Sequence, residues 1–215
     1  MELFFGTSNE GKLRELRRLV AGLPIEVVTP AALGGPLPEV VEDGASFAQN
    51  AGKKARAFAL ASGRLALADD SGLCVDALDG APGIFSARWS EPEAPGALPR
   101  EERDRHNNQK LLAALAGRPK DQRGAAYVAV LALAGPDGRL LASVEGRCRG
   151  RIGRALRGTG GFGYDPLFVP EGRALTMAEL PPGEKDALSH RGAAFRALRP
   201  VLARLAALDE ARENR

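Results

Sequence analysis

The sequence predicts an α/β fold built on a mixed β-sheet, and three observations carry that expectation. Short apolar runs alternate with stretches whose apolar residues recur every three or four positions, as strands interleaved with amphipathic helices do. Two apolar runs are separated only by Gly135-Pro136-Asp137-Gly138, a hairpin signal that adds an antiparallel pair to the sheet. The chain has 215 residues, 44% hydrophobic and 27% charged, which suffices for a packed core and excludes wholesale disorder. Against roughly 150 residues for a typical domain, that length fits one large domain over residues 1–215 or two intimate lobes.

The elements follow in order. Leu3 to Phe5 is an apolar strand closed by Gly6, and Asn9 caps a helix carrying Leu13, Leu16, Leu19 and Val20, which Gly22 and Pro24 stop. Ile25 to Val28 reads as a second strand, and the Pro- and Gly-rich segment 30–38 as loop with at most one helical turn. Ser46 opens a helix through Phe47, Ala51, Ala55, Phe58 and Ala59, whose register sets Asn50 and Lys54 on one face. Leu65 to Ala68 is a strand that ends abruptly in Asp69-Asp70-Ser71-Gly72. A Pro-rich loop over 90–99 leads into a helix over 100–116 with Leu111, Leu112 and Leu115 inward. The hairpin strands are Ala125 to Ala134 and Arg139 to Val144, and the run Pro166 to Val169 follows a Gly-rich stretch. Phe195, Leu198, Val201, Leu202, Leu205 and Leu208 mark a last helix, interrupted or kinked at Pro200.

Composition narrows the function. No apolar run is long enough to span a bilayer and the N-terminus lacks a signal peptide's pattern, so a cytoplasmic protein without a membrane partner is expected. Cys74 and Cys148 are too few for a disulfide framework or a thiolate zinc cage. A net charge of +3 with scattered Arg gives no polybasic block and no expectation of a nucleic-acid partner, and the scarcity of Lys, six of 30 basic residues, makes each one informative.

Four segments can carry chemistry. Gly6-Thr7-Ser8-Asn9-Glu10-Gly11-Lys12 satisfies GxxxxGK between strand and helix, but Leu13 replaces the hydroxyl that a nucleotide-binding P-loop needs for magnesium. What survives is a helix N-terminus with a Lys, suited to phosphate, or simply a capped helix. Asp69 and Asp70 alternate sides along an extended strand, so only one readily joins a given site, and with Glu42 and Asp43 they offer hard oxygen ligands of the kind Mg²⁺ takes; equally, they would cap a turn. In Gly158-Thr159-Gly160-Gly161-Phe162-Gly163-Tyr164-Asp165, aromatics in a flexible loop are poorly placed for core packing and well placed to stack on a base. Glu184-Lys185 and Ser189-His190-Arg191, at the entry to the last helix, supply donors for base carbonyls or phosphates, or a solvated helix start.

In this order the stretches TSNEGKLREL at Thr7, EDGASFAQNAGKKA at Glu42, LADDSGLCVDALDGAPGIFSARWS at Leu67, GTGGFGYDPLF at Gly158 and EKDALSHRGAAFRAL at Glu184 resemble the Ham1 family of inosine triphosphate pyrophosphatases, also called dITP/XTP pyrophosphatases. The resemblance implies an elongated mixed β-sheet bridging two lobes with flanking helices and a central substrate cleft, usually in a homodimer. It implies Mg²⁺-dependent hydrolysis of ITP, dITP and XTP to the monophosphate and pyrophosphate, clearing deaminated purines from the nucleotide pool. Carried onto this chain, Thr7, Ser8, Asn9, Glu10, Gly11 and Lys12 would bind the triphosphate, with Lys54 also a substrate ligand. Glu42 and Asp70 would hold the metal, Asp70 doubling as proton acceptor, while Ser71, Phe162, Gly163, Tyr164, Asp165, Lys185, His190 and Arg191 would bind nucleotide. Donors from His190 and Arg191 would favour the C6 carbonyl of hypoxanthine and xanthine over the amino group of adenine. Two competing functions remain: a related triphosphatase for modified pyrimidines, which a substrate panel separates, and a nucleotide- or RNA-binding module without turnover, which predicts salt-sensitive binding.

Overall fold

The computed structural model describes residues 1–7, 10–33, 36–91 and 98–213. Its strands are β1 (Glu2–Phe5), β2 (Glu26–Val28), β3 (Leu65–Val75), β4 (Gly124–Ala134), β5 (Leu140–Ile152) and β6 (Phe168–Pro170). The helices are α1 (Glu10–Val20), α2 (Phe47–Ser62), α3 (Arg100–Ala114), α4 (Pro182–Leu188) and α5 (His190–Glu213). The strands form one sheet in the order β2-β1-β3-β4-β5-β6. It is mixed, because β1 runs parallel to β2 and β3 while β6 runs antiparallel to β5. Among the described residues, no helix is long and apolar enough to cross a membrane.

By its internal contacts the chain divides into two compact units. The first comprises Met1–Asp70, Ala129–Gly146 and Arg191–Arg215, and the second Ser71–Val128 and Arg147–His190. In the first unit, strand alternation sorts side chains onto two faces. Leu3, Phe5, Leu67, Leu131 and Leu133 pack with Leu13 and Leu16 of α1 and with Phe195, Leu198 and Leu202 of α5. Phe4, Ala66, Ala68, Val130 and Ala132 face the other way and pack with Ala51, Ala55 and Phe58 of α2. The small residues Ala66 and Ala68 let α2 approach closely, and Gly6 completes the fit: a Cβ there would lie 2.4 Å from the Phe58 ring.

Helix α2 begins where the sequence places it, with the Ser46 hydroxyl accepting from the Gln49 amide and Gly63 closing it in a left-handed conformation. α5 runs unbroken through Pro200, so the expected interruption does not occur. The larger correction concerns β3. Asp69 and Asp70 do not end a strand but lie in the middle of one that continues to Val75, because Leu73 and Val75 resume the apolar pattern and enter the second unit's core.

That second core gathers Leu73, Leu111, Leu115, Tyr127, Ile152, Tyr164, Leu167 and Phe168. Arg123 is buried beside it and donates to three backbone carbonyls: Nε to Ile152 O (2.9 Å), Nη1 to Leu115 O (2.7 Å) and Nη2 to Gly153 O (2.7 Å). It thereby satisfies a carbonyl at the C-terminal end of α3 and two at the end of β5. Replacing it strands three carbonyls, so Arg123→Met is expected to lower unfolding free energy by about 3 kcal/mol in urea denaturation. A change below about 1 kcal/mol would mean that water replaces the guanidinium at no cost.

Candidate active site

The first unit places its charges where β1 stops. β1 pairs with β3 only as far as Phe5↔Leu67, after which Gly6 and Thr7 turn away, so Asp69 and Asp70 lie beyond the last β1 pair. The carboxyl end of a parallel strand is where open α/β sheets leave room for ligands. A cavity of about 240 Å³ lies there, lined by Gly6, Thr7, Lys12, Glu42, Lys54 and Asp69, with Leu37, Pro38, Val40 and Phe58 as apolar wall.

Alternation along β3 assigns the partners. Asp69 shares the face of Leu67 and meets Lys12 of α1 (Nζ to Oδ1 2.9 Å, to Oδ2 2.8 Å) and Arg191 of α5 (Nε to Oδ2 3.1 Å). Asp70 shares the face of Ala68 and meets two residues of α2: Lys54 Nζ at 3.1 Å and the Asn50 amide at 3.3 Å. The expectation of opposite sides holds. The two do not line the cavity together: Asp69 does, with Lys12 from its own face and Glu42 and Lys54 from the other. Nor do the two Asp residues cap a turn.

Asn50 also fixes the Glu42 loop, its Oδ1 accepting the Gly44 amide at 2.8 Å, and Lys54 stands 3.3 Å from Glu42 Oε1. Glu42 and Asp70 therefore both face the Lys54 ammonium. Among the described residues no cluster of three or more His, Cys, Asp or Glu side chains assembles; Glu42 and Asp70 are hard oxygen donors of the type that Mg²⁺ takes when phosphate and water supply its other ligands.

The environment separates the two carboxyls electrostatically. Burial works against ionisation of Asp69, but Lys12, Arg191 and Lys54 outweigh it and hold the group well below the usual carboxylate range. Burial dominates at Asp70 and raises its pKa despite Lys54. Burial also lowers Lys12, whereas at Lys54 the charges of Asp70, Asp69 and Glu42 overcome burial and raise it. Arg191 is further engaged by Glu15 of α1, at 3.5 Å.

In the second unit Asp165 is the hub. Its Oδ1 accepts from Tyr127 OH (3.2 Å), and Oδ2 accepts from the Phe162 amide (2.9 Å) and Lys185 Nζ (2.6 Å). The His190 ring stacks on Tyr127 at a centroid distance of 4.8 Å. Phe162 is half-buried, with Lys185 5.4 Å and Arg100 4.6 Å from its ring centre. Tyr164 corrects the sequence reading: it packs in the core and donates its hydroxyl to Ser86 O (2.9 Å), so it is not a stacking platform.

Of the other sequence-derived candidates, Thr7 lines the cavity, Gly11 and exposed Glu10 sit in the first turn of α1, and Ser71 follows Asp70 on β3, half-buried. Ser8 and Asn9 lie outside the described residues. His190 and Arg191 occupy separate settings, one on Tyr127 and the other in the carboxylate cluster with Lys12. The sequence offers Asp69 as an oxygen ligand but the resemblance assigns it no role, and Glu15, Tyr127, Arg100, Asp104 and Asn108 go unmarked as site residues. The available signal was spacing: Arg100, Asp104 and Asn108 recur every four residues on α3.

The Ham1 family model matches residues 3–201. The chain belongs to the Ham1 family. A relative from Anaeromyxobacter dehalogenans, named dITP/XTP pyrophosphatase, is 61% identical over 232 aligned residues that cover 96% of this chain and 99% of its own. A relative of the same name from Streptomyces coelicolor is 49% identical, covering 94% and 98%. Among solved structures, a HAM1 protein from Coxiella burnetii matches with a TM-score of 0.82 at 37% identity, covering 95% of this chain and 99% of that one. The sequence matches and the structural match each cover at least 94% of this chain.

A stability prediction follows from Asp69. Its folded pKa lies below the unfolded value of 3.8, so the unfolded state binds more protons in between and stability rises with pH across that window. The contribution is present above the ordinary Asp range and is lost as pH falls toward the folded value. Asp69→Asn, which strands Lys12 and Arg191, is expected to cost about 3–5 kcal/mol at neutral pH. Urea titrations from pH 3 to 7 should show a flatter acid limb in the variant, and an unchanged limb would disprove the pairing.

Proposed function

We propose that this chain hydrolyses dITP, ITP and XTP to the monophosphate and pyrophosphate, with a divalent metal, and so removes deaminated purines from the nucleotide pool. The observation that carries it is the cluster at the end of β1, where Lys12, Lys54 and Arg191 are set against Asp69, Asp70 and Glu42 around one cavity. Relatives up to 61% identical over nearly the whole chain bear the name dITP/XTP pyrophosphatase, which supports the same reading.

Glu42 and Asp70 would hold Mg²⁺, which when bound supplies charge neutralisation at the phosphates and a more acidic water. Lys12, presented by the first turn of α1 and steadied by Asp69, meets the phosphate chain, and the α1 N-terminus adds its amide dipoles. Asp70, held in place by Asn50 and Lys54, is the carboxylate that takes the proton of an attacking water. The water oxygen bonds to the α-phosphorus, the bridging α–β oxygen bond breaks, the electron pair leaves with pyrophosphate, and the proton goes to Asp70. The neighbouring cations, Lys54 and Arg191, offset the charge that builds on the departing group.

Phe162 is the stacking surface for the base, and Lys185, beside that ring, and His190, stacked on Tyr127, are the donors for a purine C6 carbonyl. Adenine offers an amino group there and would leave donors unpaired. The same reading includes a homodimer, as the family resemblance implies, so light scattering should return twice the 22.6 kDa chain mass.

Two outcomes test it. Incubated with Mg²⁺ and dITP, XTP, dGTP or dATP, the protein is expected to yield monophosphate and pyrophosphate from the first two and far less from the others. Diphosphate plus phosphate, or equal rates with dATP, contradicts the reading. Asp70→Asn is expected to lower kcat about a thousandfold with an unchanged circular dichroism spectrum. Retention of a rate within about tenfold would remove Asp70 from the proton transfer.

A further inference from the structure

The Gly-rich loop that carries Phe162 is held from behind by one stripe of α3. Arg100, Asp104 and Asn108 are spaced four apart and so share a helix face. Each touches the loop at a different point. Asp104 Oδ2 accepts the Gly163 amide at 2.8 Å, and Asn108 Nδ2 donates to the Gly163 carbonyl at 2.8 Å and to the Asp104 carbonyl at 2.7 Å. Arg100 lays its guanidinium over the Phe162 ring and stands 3.9 Å from Asp104.

The two hydrogen bonds to Gly163 belong to different peptide groups. The amide is part of the 162–163 peptide and the carbonyl part of the 163–164 peptide, so together they fix the planes on both sides of the Gly163 Cα. That residue sits at φ +61°, a left-handed conformation in which glycine pays no steric cost, and an unclamped glycine there has several alternatives. On the other side Phe162 N–H is held by Asp165, which also holds Lys185. The ring's backbone is thus pinned at both flanking peptides, and its direction follows. The Asn108 amide cannot be turned over without setting its oxygen against two carbonyls, so its role as donor is set by its surroundings.

We infer that Asp104 and Asn108 are positioning residues for the nucleobase: by clamping Gly163 they aim the Phe162 ring and thereby set affinity for the purine while leaving the chemistry at phosphorus untouched. The inference rests on Phe162 being the base platform, as read above. A loop free to rotate about Gly163 would spend binding energy on ordering the ring, which appears in KM.

The test is a double-mutant cycle on the full chain with dITP as substrate. Asp104→Leu and Asn108→Ala are each expected to raise KM about five- to tenfold, the worth of one hydrogen bond, with kcat changed less than about twofold. Asp104→Asn keeps an acceptor for the Gly163 amide and is expected to restore most of the lost affinity. In a Phe162→Ala background neither substitution should raise KM further, because the platform they aim is gone. A purely structural role would instead lower kcat and Tm and would multiply with Phe162→Ala. Either that multiplication, or wild-type KM in both variants while Phe162→Ala alone raises it, overturns the clamp and spares the base platform. An unchanged KM in Phe162→Ala itself removes the platform and the clamp with it. If Asn108→Ala loses its cooperative unfolding transition, Asn108→Leu, which deletes the donor and fills the space without setting an oxygen against the two carbonyls, is read in its place.

Discussion

Two adjacent carboxylates are buried in the middle of a strand, and much of the first unit is arranged around keeping them charged. An ionised group in such a place costs several kcal/mol unless it is paired and hydrogen-bonded. Asp69 and Asp70 point to opposite faces of β3, so each takes its ion-pair contacts from a different set of helices. Helices α1 and α5 bring Lys12 and Arg191 to one face, and α2 brings Lys54 and Asn50 to the other. The apolar contacts that dock these helices, Leu13, Leu16 and Phe195 on one side and Ala51, Ala55 and Phe58 on the other, therefore also fix the site's electrostatics. On the proposed function, a cluster of this kind at the open end of a parallel strand would work by exchange, phosphate oxygens replacing carboxylates on the cations and a metal replacing an ammonium on the carboxylates.

The second unit solves a different problem, the presentation of a ring from a glycine-rich loop. Glycines permit the turn but fix nothing, so rigidity has to come from neighbours. Asp165 binds the amide of the residue that carries the ring, Tyr127 and Lys185 hold Asp165, and α3 supports the next peptide. Tyr164 anchors the loop's exit in the core through its hydroxyl on Ser86. Preorganisation of this sort lowers the ordering cost of binding.

Much of this was legible in the chain, and the omissions have physical causes. Helix α2 could be read from Ser46, Gly63 and the recurrence of Ala and Phe, and with it the pairing of Asn50 and Lys54, because caps and periodicity are local. The hairpin between β4 and β5 was visible in its turn residues for the same reason. The continuation of β3 was not: two charged residues and a glycine end most strands, and only tertiary cations make them tolerable in this one. Tyr164 was misplaced because a glycine-flanked aromatic looks exposed until Ser86, far away in sequence, supplies its partner. The stripe on α3 was available as spacing, yet its meaning depends on a loop more than fifty residues later. Arg123 was silent altogether, since an Arg that binds only backbone carbonyls leaves no complementary carboxylate in the sequence to notice.

The cluster of Lys12, Lys54, Asp69 and Asp70 has one central chemical claim attached to it, that water attacks the α-phosphorus with pyrophosphate as leaving group. Hydrolysis of dITP in ¹⁸O-enriched water, followed by mass spectrometry of both products, tests it most directly. Label confined to the monophosphate is the expected result. Label in pyrophosphate, or in free phosphate, would place the attack at another phosphorus and contradict the assigned chemistry.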